Sequence, residues 1–155
     1  MRQEKIKTAL CWMLVIVCMG VIFWLSSRTA DESAAQSGTI LQWLINIFGD
    51  NLFTDFVVRK AAHCLEFTGL CVLFNLAFYQ TRKKTMPLIS IACTSLYAAT
   101  DEFHQLFVDG RSCQFTDWII DSCGAILGAI GFMILYKMII YIKQKSTKFI
   151  DSENI

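Results

Sequence analysis

The chain has 155 residues, of which 55% are hydrophobic and only 17% charged, and its formal net charge is +1 at pH 7. This charged share is far below the roughly 25% of soluble domains, which argues against a soluble globular protein. The near-neutral charge gives no reason to expect a nucleic-acid partner. Seven cysteines are scattered without a CxxC pair, so we interpret them as small apolar residues and not as a disulfide framework or a zinc site.

Four apolar blocks joined by short connections predict an all-α membrane protein, a four-transmembrane-helix bundle. The predicted spans are about 8–25, 61–79, 86–108 and 115–142. Each approaches the ~20 residues that cross a ~30 Å hydrocarbon core as a helix. We expect a single membrane domain over residues 1–155, ending in a short cytoplasmic tail, 143–155. The first block could instead be a cleaved signal peptide, but its apolar run is longer than such peptides have.

Basic residues in the short connections decide the orientation of such a bundle. Ten of the fourteen fall on one side of a four-span chain: Arg2, Lys5, Lys7, Arg82, Lys83, Lys84, Lys137, Lys143, Lys145 and Lys148. The positive-inside rule therefore predicts both termini in the cytoplasm (N-in/C-in), with the connections 26–60 and 108–114 on the outer side.

The first outer connection contains a predicted interfacial helix. Ser26 to Gly38 is rich in small and acidic residues and is predicted to be a loop, whereas Ile40 to Phe48 is apolar except for one polar stripe. Trp43 and Phe48 suit the headgroup region, so we expect this helix to lie on the outer leaflet. A lid packed against the other spans fits the same pattern equally well.

Ionisable side chains recur inside the predicted spans, where each costs roughly 2.5–3.5 kcal/mol at the bilayer centre. They stand at the start of span two, the end of span three and the start of span four. These ends share one membrane face, because alternate spans run in opposite directions. The predicted ligand-binding cluster on this outer face is Arg59, Lys60, His63, Glu66, Glu102, His104, Gln105, Arg111, Asp117 and Asp121.

The fourth span carries a glycine stripe below its two acids. Gly124, Gly128 and Gly131 are separated by four and three residues, and such a stripe lets another helix approach closely. Gly110 is expected to form the outer turn between spans three and four, and to bring Arg111 beside the acids.

The cluster allows several interpretations. A network that only neutralises its own charges is one, but buried ion pairs are weak evidence for stability, so a functional cavity is favoured. His63-x-x-Glu66 has the spacing of metal ligands in helical bundles, yet two histidines with basic neighbours are a weak signal, and neither a metal nor another cofactor is expected. Acid–base hydrolysis with an arginine clamp, anion or amphiphile binding, and proton-coupled transport by a dimer remain.

Three motifs of the chain resemble those of the VanZ-like family of bacterial membrane proteins, and the resemblance covers roughly residues 10 to 140. They are Arg59-Lys60-x-x-His63-x-x-Glu66, Glu102-x-His104-Gln105-Leu106-Phe107-x-x-Gly110-Arg111 and Asp117-x-x-x-Asp121-x-x-Gly124-x-x-x-Gly128. One position departs from the family, because Asp121 stands where the family usually has asparagine.

The resemblance implies a multi-pass protein of the bacterial cytoplasmic membrane with a role in the cell envelope. The named member of the family is associated with resistance to the glycopeptide antibiotic teicoplanin. The function expected on this basis is reduced glycopeptide sensitivity through binding or shielding an amphiphilic envelope component, such as a lipid-linked cell-wall precursor or a lipoglycopeptide. A membrane-embedded hydrolase acting on a lipid-linked phosphate or glycan, a small transporter or flippase, and a homo-oligomer are alternatives left open.

Overall fold

The computed structural model describes residues 2–49 and 54–153, and the side chains as far as residue 146. Within these residues the fold is all helical and contains no β-strand. The five helices are α1 (Arg2–Ser26), α2 (Ala30–Phe48), α3 (Asp55–Arg82), α4 (Pro87–Gln105) and α5 (Phe115–Glu153). The all-α class is therefore confirmed.

Three helices of the described part are long and apolar enough to cross a membrane. They are Arg2–Ser26, Asp55–Arg82 and the Phe115–Ser146 part of α5. The predicted third span is shorter than expected, because the chain leaves the helix after Gln105 through three-residue turns at Leu106 and Phe107. Since α4 is not among the three membrane-capable helices, the number of four spans remains a prediction.

α2 begins earlier than the sequence suggested. The segment Ser26 to Gly38 was expected to be a loop, but the helix starts at Ala30. The Thr29 side chain accepts the Glu32 N–H at 3.3 Å, and the Glu32 carboxylate accepts the Thr29 N–H at 3.2 Å. This capping box satisfies two of the amide groups that a helix start leaves unpaired, and it outweighs the polar composition of the segment.

α3 lies at the centre of the fold and packs against each of the other four helices. Its buried side chains Phe67 and Leu70 belong to one cluster with Val15 and Ile22 of α1. α4 joins α1 as well, since the Tyr97 hydroxyl donates a hydrogen bond to a main-chain carbonyl of α1 at 2.6 Å. Lipid tails are as apolar as these side chains, so packing and hydrogen bonds hold the helices together.

The most extensive interface is that of α3 with α5, and two glycines determine it. A Cβ atom on Gly124 would collide with the Cys64 carbonyl oxygen, and one on Gly128 would collide with the Thr68 carbonyl oxygen. The Thr68 hydroxyl donates across the interface to the Gly124 carbonyl at 2.9 Å. A Cβ atom on Gly131 would meet no atom of a neighbouring helix within 4 Å, so the predicted stripe contributes two glycines to this contact and not three.

The connections between the helices lie at two opposite ends of the bundle. At one end, Lys83 of the α3–α4 connection contacts Glu4 of α1 at 2.6 Å; we call this the basic end. At the other, Lys60 near the start of α3 forms an ion pair with Asp117 near the start of α5; we call this the polar end. The α4–α5 connection also lies at the polar end, where the Asp109 carbonyl accepts the Ala30 N–H at 3.3 Å.

The first prediction concerns the glycine contact. Gly128→Ala should lower the thermal unfolding midpoint of the detergent-solubilised protein, because the added methyl group forces the two backbones apart at a cost of about 1–3 kcal/mol. Gly131→Ala is the matched control, and it should be neutral or stabilising, since alanine is the better helix former by ~1 kcal/mol. Equal midpoints for the two variants would contradict this account of the interface.

Candidate functional site

Two cavities lined by described residues lie at the polar end, and both are lined by Arg59, His63 and Arg111, which we call the wall. Cavity I, of about 210 Å³, lies between α3, the α4–α5 connection and the start of α5. Cavity II, of about 230 Å³, lies between α1, α2 and α3. The three wall residues belong to the predicted cluster, and so do four further residues that line one cavity. Lys60, Gln105 and Asp117 line cavity I, and Glu66 lines cavity II.

Arg111 is positioned by main-chain contacts of the α4–α5 connection. Gly110 has a φ of 73°, and a Cβ atom there would lie 3.0 Å from the Cβ of Ala30, so the turn needs glycine at this position. The Arg111 Nε group donates to the Arg28 carbonyl at 2.9 Å. Burial lowers the pKa of the Arg111 guanidinium, but arginine stays charged. The wall of both cavities therefore contains a cation.

Arg111 was expected to lie beside the acids, and it lines cavity I together with Asp117, but neither Asp117 nor Glu102 forms an ion pair with it. Asp117 pairs with Lys60, and the Glu102 carboxylate accepts the Gln114 backbone N–H at 2.9 Å. Among the described residues, no carboxylate lies within ion-pairing distance of Arg111. The reason is the close approach of α3 and α5, which brings Lys60 directly opposite Asp117.

Arg59 has a carboxylate partner of its own. Its Nη2 group lies 2.8 Å from the carboxylate of Asp55, and both side chains are about one-third exposed, at 34% each. Asp55 also accepts the hydroxyl of Ser37, which anchors α2 to α3. Asp55 was not predicted as a site residue, although its spacing of four residues from Arg59 is typical of such a pair.

His63 and Glu66 form no hydrogen bond with any described residue. His63 lines both cavities, whereas Glu66 lines only cavity II. A carboxylate, an imidazole and a guanidinium thus face the same space. This set of groups can bind an anion through its cation, and a carboxylate or imidazole beside a bound substrate can also take up a proton.

Three acids lie deeper and line neither cavity. Asp101, Glu102 and Asp121 are 2%, 3% and 1% exposed. Asp101 accepts the Gln105 amide at 3.2 Å through one oxygen, while neither oxygen of Asp121 has a hydrogen-bond partner among the described groups. Asp101 was not predicted as a site residue, although its spacing of four from Gln105 places both on one helix face.

His104 was predicted to bind a ligand, but its side chain contacts α1 and lines neither cavity. Its Nε2 atom is 3.1 Å from the Ser27 hydroxyl, and its ring packs on Phe23 with centroids 4.3 Å apart. The structure thus places His104 against the end of α1 and not at a cavity.

The described part of the chain contains no set of side chains that would support the metal-binding alternative. No group of three or more His, Cys, Asp or Glu side chains there is placed to hold a metal ion. The chemistry that these residues offer is that of cations and hydrogen-bonding side chains around two small cavities.

Comparison with known proteins identifies one family. The family model described as VanZ/LLP1 matches residues 11–136, a range that includes the whole predicted cluster. No curated protein and no solved structure matches the chain.

The second prediction separates buried from exposed ion pairs at the two ends. Asp117→Asn should destabilise the purified protein by about 1.5–3 kcal/mol, because it removes a charged partner from Lys60 in a pair that is only about one-fifth exposed. Glu4→Gln is the matched control at the basic end, where both partners are more than half exposed, and it should leave the unfolding midpoint nearly unchanged. If Glu4→Gln lowered the stability more than Asp117→Asn, the Lys60–Asp117 pair would not be the more stabilising of the two.

Proposed function

The chain belongs to the VanZ/LLP1 family, and from this premise we propose that it reduces sensitivity to glycopeptide antibiotics of the teicoplanin type. It does so by binding or shielding an amphiphilic component of the cell envelope at cavities I and II. The teicoplanin phenotype comes from the family resemblance, and the binding role comes from the residues of the site.

One observation supports the binding role most strongly, and it is the charge that Arg111 presents. Its guanidinium belongs to the wall of both cavities without a carboxylate partner among the described residues. Three cations and one carboxylate line cavity I, namely Arg59, Lys60, Arg111 and Asp117. An arginine with unused N–H groups is suited to bind an anion by two parallel hydrogen bonds. A site made only for stability would have used this charge internally.

The proposal includes a location for the site. In a four-span bundle with both termini in the cytoplasm, the polar end faces outward from the cytoplasmic membrane. The concentration of lysine and arginine at the basic end supports this orientation. Lipid-linked wall precursors and lipoglycopeptides both occur at the outer leaflet, where such a site would meet them.

A membrane-embedded hydrolase is the second candidate, and one observation favours it. Glu66 and His63 line cavity II together with Arg111, and neither has a hydrogen-bond partner in the described part. A general base next to an arginine that holds a phosphate would suit the hydrolysis of a lipid-linked phosphate.

The third prediction tests the role of Arg111 in cells. Arg111→Lys should leave the abundance of the protein in the membrane nearly unchanged but shift glycopeptide sensitivity toward that of cells without the protein. Lysine keeps the charge and loses the planar fork, and the loss of a charged hydrogen bond weakens ligand binding about tenfold or more. Normal resistance at normal abundance would rule out the binding role of this arginine.

Arg28→Lys is the matched control for this experiment. The Arg28 side chain lies over the Trp24 ring, 4.4 Å from its centroid, and lines neither cavity. Only its main-chain carbonyl contacts Arg111, and the substitution keeps that carbonyl. Glu66→Gln separates the two candidate functions, because a hydrolase would lose its activity while ligand binding survives, whereas a binding protein would keep its resistance.

The fourth prediction tests the orientation with a cysteine that the chain already has. Cys113 is exposed in the α4–α5 connection, so a membrane-impermeant maleimide should label it in intact cells. Thr85→Cys at the basic end, made together with Cys113→Ser, should be labelled only after the cells are opened. The reverse pattern would invert the orientation without affecting the grouping of residues at the polar end.

A further inference from the structure

We infer that the amphiphile bound at this site is a lipid with a terminal phosphate, whose phosphate occupies cavity I and whose apolar chain begins in cavity II. This inference rests on the proposed function and specifies its ligand class. It also implies that the glycopeptide itself is not the molecule that these cavities hold.

The size of cavity I limits its ligand to a small group. At about 210 Å³ it is smaller than the 300–1,000 Å³ pockets that hold drug-sized molecules. A glycopeptide antibiotic, with several sugars on a cross-linked peptide, is larger than a drug-sized molecule. A phosphate group fits this space, and the rest of its lipid can lie outside it.

The charges of cavity I favour a phosphate over a carboxylate. A terminal phosphate has three acceptor oxygens and a charge of about −1.5 to −2 at pH 7. It can accept two parallel hydrogen bonds from Arg111 and still approach Lys60 or Arg59 on the same lining. A carboxylate has one charge and two oxygens, which the arginine alone would occupy.

The acids of α4 and α5 at the polar end present no unpaired carboxylate to this phosphate position. Asp101, Glu102 and Asp121 are buried and absent from both cavity linings. Asp117 lines cavity I, but Lys60 pairs with it. A phosphate entering cavity I would therefore meet N–H donors of Arg111 before it met an unpaired carboxylate.

Cavity II has the character needed for the start of an apolar chain. It shares the wall of Arg59, His63 and Arg111 with cavity I, so a ligand held at the wall can extend from one cavity into the other. Its apolar lining consists of Leu25, Ile40, Val58 and Ala62. Lys60 lines only cavity I, whereas the acidic Glu66 lines only cavity II, which assigns the phosphate to cavity I and the chain to cavity II.

The test measures how three probes shift the thermal unfolding midpoint of the full, detergent-solubilised chain. The probes are dioctanoyl phosphatidic acid, dioctanoyl phosphatidylcholine and inorganic phosphate. We expect phosphatidic acid to bind at least tenfold more tightly than inorganic phosphate, since only the lipid fills both cavities. Phosphatidylcholine, which has the same chains but no terminal phosphate, should cause no comparable shift.

Variants assign the two parts of the lipid to the two cavities. Ala62→Phe fills cavity II and should reduce the affinity for phosphatidic acid to that for inorganic phosphate, while the retained phosphate shift shows that the variant is folded. Ile40→Glu, at a half-exposed position of α2, should have the same effect if Ala62→Phe fails to fold. Arg111→Lys should bind both ligands at least tenfold more weakly, and its midpoint without ligand should fall slightly because lysine loses the Nε hydrogen bond to the Arg28 carbonyl. Arg28→Lys should retain both ligands.

Three results would overturn the inference. Equal shifts with phosphatidic acid and phosphatidylcholine would show that the terminal phosphate is not recognised. Equal affinities for phosphatidic acid and inorganic phosphate, in the wild type and in Ala62→Phe alike, would show a site for the free ion without a chain cavity. If phosphatidic acid fails to bind while Arg111→Lys still raises glycopeptide sensitivity, the inference fails and the proposed function stands.

Discussion

The contact of α3 with α5 is the constraint on which the rest of the structure depends. Helices in a membrane gain little from the hydrophobic effect when they associate, so close packing and hydrogen bonds must hold them. Gly124 and Gly128 allow the backbones to meet at the carbonyls of Cys64 and Thr68, and the Thr68 hydroxyl bonds across the gap. This contact fixes the spacing of the two helix starts, and hence the ion pair that closes one side of cavity I.

The second determinant of the site is the connection between α4 and α5, which is held mainly through backbone atoms. Glu102 accepts the Gln114 N–H, the Asp109 carbonyl accepts the Ala30 N–H, and the Arg28 carbonyl accepts Nε of Arg111. These three contacts tie the connection to α4, α2 and the end of α1. Because the Arg28 carbonyl uses only Nε, the two Nη groups of Arg111 retain their hydrogens for other acceptors.

The sequence predicted the features that follow from periodicity and chain direction. The helical class, the two glycines of the interface and the gathering of Arg59, Lys60, His63 and Asp117 at one end belong to this group, because spacings of three or four and alternating helix directions determine them. The start of α2 was also readable, since the Thr29–Glu32 capping box is a local signal. The loop prediction for Ser26 to Gly38 rested on composition alone.

The remaining features could not be read from the chain because they depend on how each helix is rotated about its axis. His104 and Gln105 are adjacent, yet His104 packs on Phe23 while Gln105 bonds to Asp101 and lines cavity I. Sequence spacing alone does not decide whether His104 packs against α1 or lines the cavity. The direction of the Arg111 side chain depends on the left-handed conformation of Gly110 and on the close approach of Gly110 to Ala30. Gly110 and Ala30 are distant in sequence, so spacing could not predict this approach.

The hydrogen bonds and ion pairs at the polar end show that some members of the predicted cluster stabilise the fold, while others remain available for a ligand. The ion pair of Lys60 with Asp117 joins α3 to α5, and the hydrogen bond from Gln114 to Glu102 joins the α4–α5 connection to α4. Removing either contact should therefore lower the stability of the protein. Had either acid paired with Arg111 instead, the planar fork of that guanidinium would have been occupied inside the bundle, and an anion in cavity I would meet only the other cations of its lining. Capture of the acids by Lys60 and by a backbone amide therefore keeps Arg111 available, and the structural contacts become a condition for the proposed binding role.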